Sequence, residues 1–144
     1  MSIQTKSRRI RRPKIVLSKT RLAELEALSE RMMRRDPDLA ELLIEELSRA
    51  RVVTPSRLRR DVVDLGRQFT YHDETAGKDH TVTLVLPPEA DISAGRISIL
   101  TPIGVALIGL VEGAAFHWET RDGQRRELKV LKVFTDDQNS LQEA

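Results

Sequence analysis

The spacing of the apolar residues changes once along this chain, and the change divides it into two parts. Up to about residue 50, apolar residues recur at steps of three and four, which is the period of an amphipathic helix. From about residue 62 they alternate with polar residues, which is the period of a strand. The sequence therefore predicts an α+β protein, in which an N-terminal helical hairpin precedes a β-rich domain.

Local signals place the ends of the two helices. Ser18 is a suitable N-cap for the first helix, which we expect to end near Arg34 and Arg35. Asp36 then caps a second helix with Pro37 at its first position, where a missing N–H costs nothing. The apolar faces are Leu22, Leu25, Leu28 and Met32 in the first helix, and Leu39, Leu42, Leu43 and Leu47 in the second. Such a short connection predicts an antiparallel hairpin, a short coiled coil with arms of roughly 15 residues.

The pattern of the second part predicts an antiparallel sheet of four or five strands, together with one short helix. Residues 50–61 are expected to be a linker with a possible helical turn. Thr101 and Pro102 begin the short helix, and Gly109 supplies its left-handed C-terminal residue. The predicted strands are Arg67–Glu74, His80–Leu86, Arg96–Leu100, Ala114–Thr120 and Arg125–Phe134.

Charge and composition define the ends of the chain. We divide it into a basic, disordered tail at 1–14, the hairpin at 15–52, a β-rich domain at 53–135 and an acidic tail at 136–144. The basic tail allows two interpretations. It is a solubilising segment, or it attracts nucleic acid or an acidic protein surface. All five aromatic residues lie in the second part, and we expect them in its core.

Several classes of chemistry have no signature here. The chain has no cysteine, which excludes disulfides and thiolate chemistry. Its three histidines have no spacing typical of a zinc site, and no nucleophile elbow or phosphate loop is present. No apolar run approaches the roughly 20 residues of a membrane span. We therefore expect a cytoplasmic protein that is not an enzyme and has no metal, cofactor, membrane contact or small-molecule substrate.

Three carboxylates near the hairpin tip allow two interpretations. Asp36, Asp38 and Glu41 could be presented together to hold Mg²⁺. Alternatively, Asp36 caps the second helix while Asp38 and Glu41 favour its positive end. The Asp-Pro sequence favours the capping interpretation.

The stretch from Ile97 to Gly113 carries the most specific motif of the chain. Its Thr-Pro-Ile-Gly-Val-Ala-Leu-Ile-Gly core resembles the signature segment of the Gre transcript-cleavage factors, with Thr101 in place of the usual serine. The continuation from Phe116 to Glu119 is closer to one branch of that GreA/GreB family, the Rnk proteins, named regulators of nucleoside diphosphate kinase. The resemblance covers roughly residues 15–134.

The resemblance implies an FKBP-like fold for the second part, docked on bacterial RNA polymerase at the rim of its secondary channel. The matching segment would supply the partner-binding residues Leu100, Thr101, Pro102, Ile103, Gly104 and Leu107. The Rnk branch has a shorter arm than the cleavage factors. We therefore expect a transcription regulator that competes with Gre-type factors and has no cleavage activity of its own.

Two other functions stay open at this stage. One is enzymatic: a Gre-like cleavage stimulator that uses the tip carboxylates, or a relic isomerase. The other is weak, direct DNA contact through the basic tail and Arg57, Arg59 and Arg60. This second alternative lacks a recognition helix with side chains suited to base edges.

Overall fold

The computed structural model describes residues 14–119 and 122–135, and the helical and β-rich parts follow one another as the hydrophobic pattern predicts. The elements are β1 (Val16–Ser18), α1 (Lys19–Met32), α2 (Pro37–Ser48), β2 (Arg51–Val53), β3 (Gln68–Asp73), β4 (Lys78–Val85), β5 (Arg96–Ser98), α3 (Pro102–Leu107), β6 (Ala115–Glu119) and β7 (Arg125–Val133). Short 3-10 turns lie at Pro55–Arg57, Pro87–Glu89 and Ile92–Ala94. The two predicted tails, apart from Lys14, lie outside the described residues.

The α+β class is confirmed, and the main sheet has five strands in the order β5-β4-β3-β7-β6. Its pairs are antiparallel except β4 with β5, which run parallel, so the sheet is mixed rather than purely antiparallel. The reason is the connection between Val85 and Arg96. It is longer than a hairpin turn and carries the chain back along β4 before β5 begins, which gives a parallel pair.

The two predicted helix caps are confirmed. The Ser18 hydroxyl accepts a hydrogen bond from the Arg21 N–H at 3.1 Å. The Asp36 carboxylate accepts one from the Leu39 N–H, also at 3.1 Å, and Pro37 is the first helical residue. These side chains satisfy backbone donors that the first turn of a helix cannot satisfy itself.

The first helix is shorter than the sequence predicts. It ends at Met32 and not at Arg34 or Arg35, because the N–H groups of Arg35 and Asp36 both donate to the Met32 carbonyl at 2.9 Å and close a turn. The residue before a proline is disfavoured in the helical region, so the chain reverses before Pro37. The arms have 14 and 12 residues, or about 21 and 18 Å at 1.5 Å per residue.

The segment expected to be a linker contains a strand. Strand β2 pairs in parallel with β1, which precedes the hairpin, so the two ends of the hairpin are joined at its base. The Val16 N–H also donates to the carbonyl of Gly109 at 2.9 Å. Gly109 has φ +81°, and a Cβ there would lie 2.9 Å from the Cβ of Ile15. The hairpin is therefore tied to the end of α3 at a place where only glycine fits. The helical turn expected in this segment is present at Pro55–Arg57.

One buried cluster runs through both parts of the molecule. Its members from the hairpin include Leu25, Leu43 and Leu47, and its members from the β-rich part include Phe69, Leu84, Leu107 and Leu128. The aromatics Phe69, Tyr71 and Phe116 are buried as expected, whereas Phe134 is only half-buried and the side chain of Trp118 lies outside the described residues.

Candidate docking surface and hairpin tip

The segment Leu100–Gly104 forms a rigid corner between β5 and α3. The Thr101 hydroxyl accepts from the Gly104 N–H at 3.0 Å and donates to the Ser98 carbonyl at 2.9 Å, so this side chain caps the helix and fixes the turn before it. A Cβ on Gly104 would lie 2.7 Å from the carbonyl oxygens of Ser98 and Ile99. Glycine at this position therefore lets the helix begin directly against the end of the strand.

The residues that the resemblance assigned to partner binding divide into surface and core. Pro102 is exposed, and Leu100, Thr101 and Ile103 are half-buried. Gly104 is buried and Leu107 has no exposed surface at all. Leu107 therefore cannot touch a partner, because α3 turns it into the hydrophobic core, and its contribution is to hold the exposed corner in place.

An apolar groove of about 480 Å³ opens beside this corner. It is lined by Ala90, Ile92, Arg96, Ile97, Ser98, Thr101, Pro102, Ile103 and Arg126. Ile92 leaves 87% of its surface exposed, the largest fraction among the exposed large hydrophobic residues of the described chain. We use the name docking surface for Ile92, Ile97 and Leu100–Ile103.

The sequence prediction missed Ile92. The available signal was a lone isoleucine in the polar stretch between Glu89 and Arg96. Hydrogen bonds in the surrounding loop keep the Ile92 side chain exposed. Asp91 and Arg96 exchange two backbone hydrogen bonds of 2.9 Å each, and the Asp91 carboxylate accepts from the Ser93 hydroxyl at 2.6 Å. The hydrogen bond from Ser93 lowers the pKa of Asp91, and the two backbone hydrogen bonds close the small loop that carries Ile92.

Two arginines line the edge of the groove, and one of them is paired with a carboxylate. Arg96 is exposed, and Arg126 is half-buried with its guanidinium 3.1 Å from a carboxylate oxygen of Asp73. The other oxygen of Asp73 accepts from the N–H of Thr75 at 3.0 Å, in the turn between β3 and β4. Asp73 thus holds Arg126 against the sheet. An apolar surface with the exposed Arg96 at its edge suits a partner that presents apolar side chains next to carboxylates.

The three carboxylates of the tip are exposed and do different things. Asp36 caps α2, which confirms the capping interpretation for that residue. Asp38 lies in the first turn of α2, where a negative charge is favourable, and Glu41 lies one turn further on. Over residues 14–119 and 122–135, no group of three or more histidine or carboxylate side chains is placed to hold a metal ion.

Other polar side chains make contacts at the surface of the sheet and near Arg59, among them two histidine–carboxylate contacts. His72 Nδ1 lies 2.7 Å from Asp79 across the β3–β4 pair, and His117 lies 3.5 Å from Glu127 across β6–β7. Arg59, which the nucleic-acid alternative uses, is paired through two hydrogen bonds with Asp61. In the described part of the chain, no helix has the length and apolar character needed to cross a membrane.

Comparison with known proteins assigns the fold to a family. The family model for the C-terminal part of the transcription elongation factors GreA/GreB matches residues 58–135, which includes the docking surface. The regulator of nucleoside diphosphate kinase from Escherichia coli K12 is 30% identical over 122 residues, covering 85% of this chain and 90% of that protein. GreA from Azorhizobium caulinodans is 35% identical over 111 residues, covering 77% of this chain and 69% of that protein.

A solved structure shares the architecture as well as the sequence. The prokaryotic transcription elongation factor GreA/GreB from Nitrosomonas europaea superposes with a TM-score of 0.66 at 30% identity, covering 84% of this chain and 99% of that one. The resemblance seen in the Thr101–Gly109 motif is therefore confirmed across both the hairpin and the sheet. This chain belongs to the GreA/GreB family of transcription elongation factors.

Proposed function

We propose that this protein is a transcription regulator that docks on bacterial RNA polymerase near its secondary channel and has no transcript-cleavage activity. The observation that carries the proposal is the docking surface, a rigid apolar corner inside the family-matched region. It acts in the cytoplasm, where polymerase is.

The docking surface is suited to binding because it is already ordered. Hydrogen bonds within the chain fix the two sides of the docking surface, one at Thr101 and the other in the loop closed by Asp91 and Arg96. Little conformational entropy is therefore lost from this surface when a partner binds. Covering an exposed isoleucine such as Ile92 contributes roughly 1.5–3 kcal/mol. The exposed Arg96 then favours a polymerase surface with carboxylates at the edge of its apolar contact.

The hairpin tip supports the absence of cleavage activity. The Asp36 carboxylate is already engaged with the N–H of Leu39, which leaves it less free to coordinate Mg²⁺. Arg34 and Arg35 immediately precede it and would oppose a second metal ion at the tip. Docking through the C-terminal part uses none of these residues. The protein is therefore expected to occupy the site that Gre-type factors use and to compete with them.

Substitution of Ile92 tests the docking surface. We expect Ile92→Ser to weaken binding to purified core polymerase by about tenfold or more, because one apolar contact is lost. Leu131→Ser is the matched control, since Leu131 is another exposed aliphatic residue, 39% exposed, that does not line the groove. Equal affinities for the two folded variants would contradict the assignment of this surface.

An assay with a backtracked polymerase complex tests whether the protein lacks cleavage activity and competes with Gre-type factors. RNA shortening is followed with this protein alone and then with a Gre factor plus an excess of this protein. We expect no shortening in the first case and inhibition in the second. Cleavage by this protein alone, abolished by Asp38→Asn and Glu41→Gln, would instead support the cleavage-stimulator function, because both carboxylates are exposed at the tip.

A further inference from the structure

A second cleft lies on the inner side of the hairpin, where the last turn of α1 meets a corner of the β-rich part. Its volume is about 590 Å³, within the usual range for small-molecule sites. Its floor and walls include Leu28 and Met32 from α1, and Pro87, Pro88 and Leu100 from the other side. These side chains make the floor apolar, and both parts of the molecule contribute to it.

The edge of this cleft is positively charged. Arg31 and Arg35 line it, and Arg34 lies with them on an adjoining outer face that also includes Glu30. Within residues 14–119 and 122–135, none of these three exposed arginines has an ion-pair partner, whereas Arg21, Arg49, Arg59 and Arg126 each pair with a carboxylate. Two guanidinium groups beside an apolar floor, with a third on the adjoining face, are thus available to an anionic ligand.

We propose that this cleft binds a nucleoside polyphosphate. Guanidinium groups match phosphate oxygens in a two-point geometry, so the arginine edge would hold the phosphates. The flat, weakly polar base would cover the leucine, methionine and proline floor. Ser98 supplies a polar contact at the wall. Its hydroxyl oxygen accepts from the Leu100 N–H at 3.0 Å, which leaves the hydroxyl proton to donate to the base edge.

The position of the cleft would link the ligand to the hairpin. A nucleotide there would touch the last turn of α1 on one side and Leu100, part of the docking surface, on the other. It would therefore favour one angle between the hairpin and the docking surface. Binding of the nucleotide to the isolated protein does not depend on polymerase docking, so the two proposals fail or succeed separately.

The test is a titration of the full chain with a fluorescent ATP analogue, with adenosine and tripolyphosphate titrated separately. We expect saturable binding of the nucleotide and clearly weaker binding of each half. The double variant Arg31→Gln, Arg35→Gln should weaken nucleotide binding by about tenfold or more. The double variant Arg51→Gln, Arg57→Gln is the matched control, because it removes two exposed arginines outside the cleft.

A floor variant separates a nucleotide site from simple charge attraction. Met32→Gln keeps the length and helix propensity of the side chain but makes the floor polar, so it should weaken nucleotide binding and leave tripolyphosphate binding unchanged. The melting temperature of each variant shows that it is folded. Equal binding of tripolyphosphate and nucleotide, or equal losses in the arginine variant and its control, would overturn the proposal.

The acidic segment 136–144 of the same chain offers a competing occupant. It carries Asp136, Asp137 and Glu143 and could satisfy the same arginines. A chain shortened after Thr135 that binds the nucleotide, when the full chain does not, would assign the arginines to that segment and overturn the proposal. Equal binding by the two chains supports the nucleotide site.

Discussion

The surroundings of Tyr71 in the sheet change the pKa of its phenol group. Tyr71 is the one tyrosine of the chain, 3% exposed, with its ring 6.1 Å from Phe69 and 5.2 Å from His80. Burial raises the pKa of its phenol. The negative charge of Asp73 raises this pKa further, and Arg126 partly opposes the rise. The buried ring serves as a packing residue of the sheet.

The single tyrosine makes this pKa directly measurable. Titration of the phenolate absorbance of the folded protein should give a midpoint above 10.0, the ordinary value. Unfolded chains release this proton first as pH rises, so the folded state loses stability above about pH 10 until its own pKa is reached. A urea-denatured sample, titrated in parallel, is the control. A folded-state midpoint at or below that of the denatured sample would contradict the burial of Tyr71.

At the element scale, the hairpin depends on capping at its tip. Only three residues, Met33 to Arg35, separate α1 from Asp36. Asp36 lies where the chain reverses direction, and its side chain accepts a hydrogen bond from a backbone N–H in the first turn of α2. Asp38 is also acidic and exposed but has no capping bond; its effect is limited to the favourable end of the helix dipole. The two aspartates are thus a matched pair, alike in charge and exposure and different in hydrogen bonding.

This difference predicts unequal costs of substitution. Asp36→Ala should lower the free energy of unfolding by about 0.5–2 kcal/mol. Asp38→Ala should cost only about 0.3–1 kcal/mol, and that cost should shrink in high salt. Urea unfolding at low and high salt measures both. Equal losses with equal salt dependence would show that Asp36 acts through its charge and not through the cap.

At the scale of the whole molecule, the hairpin and the β-rich part share a core. Leu43 of α2 is fully buried in the same cluster as Leu84 and Leu107. The pairing of β1 with β2 closes the base of the hairpin next to Gly109. The hairpin is therefore held by the domain over its buried face and not only at one end. This shared core limits how freely the tip can move relative to the docking surface.

A core substitution in the hairpin should therefore destabilise the entire chain. Leu43→Ala is expected to cost about 2–5 kcal/mol. The helical far-UV signal and the fluorescence of Trp118, the only tryptophan of the chain, should still change together in urea. Ile44→Ala, at a neighbouring position that is 41% exposed, is the control. Loss of the helical signal before the fluorescence change would show that the hairpin unfolds as a separate unit.

The parts of this protein that the sequence by itself determined are those with local causes. Ser18, Asp36 and Thr101 satisfy backbone donors within one turn, and Pro37 lacks such a donor, so the starts of α1, α2 and α3 could be predicted. The hydrophobic period gave the main strands to within a few residues. The Thr101–Gly109 motif indicated the family. Its cap and Gly104 are required by contacts close in sequence, whereas Gly109 is required by its contact with the distant Ile15.

Tertiary structure decided everything that depends on distant partners. Strand β2 exists because β1 lies beside it, and β5 runs parallel because the connection after β4 returns along the sheet. Leu107 and Ile92 are both aliphatic residues near the same corner, yet one is fully buried and the other 87% exposed. Periodicity describes a residue's place on its own helix or loop. Which side faces the core is set by what packs against it, and that physical fact follows only from the assembled fold.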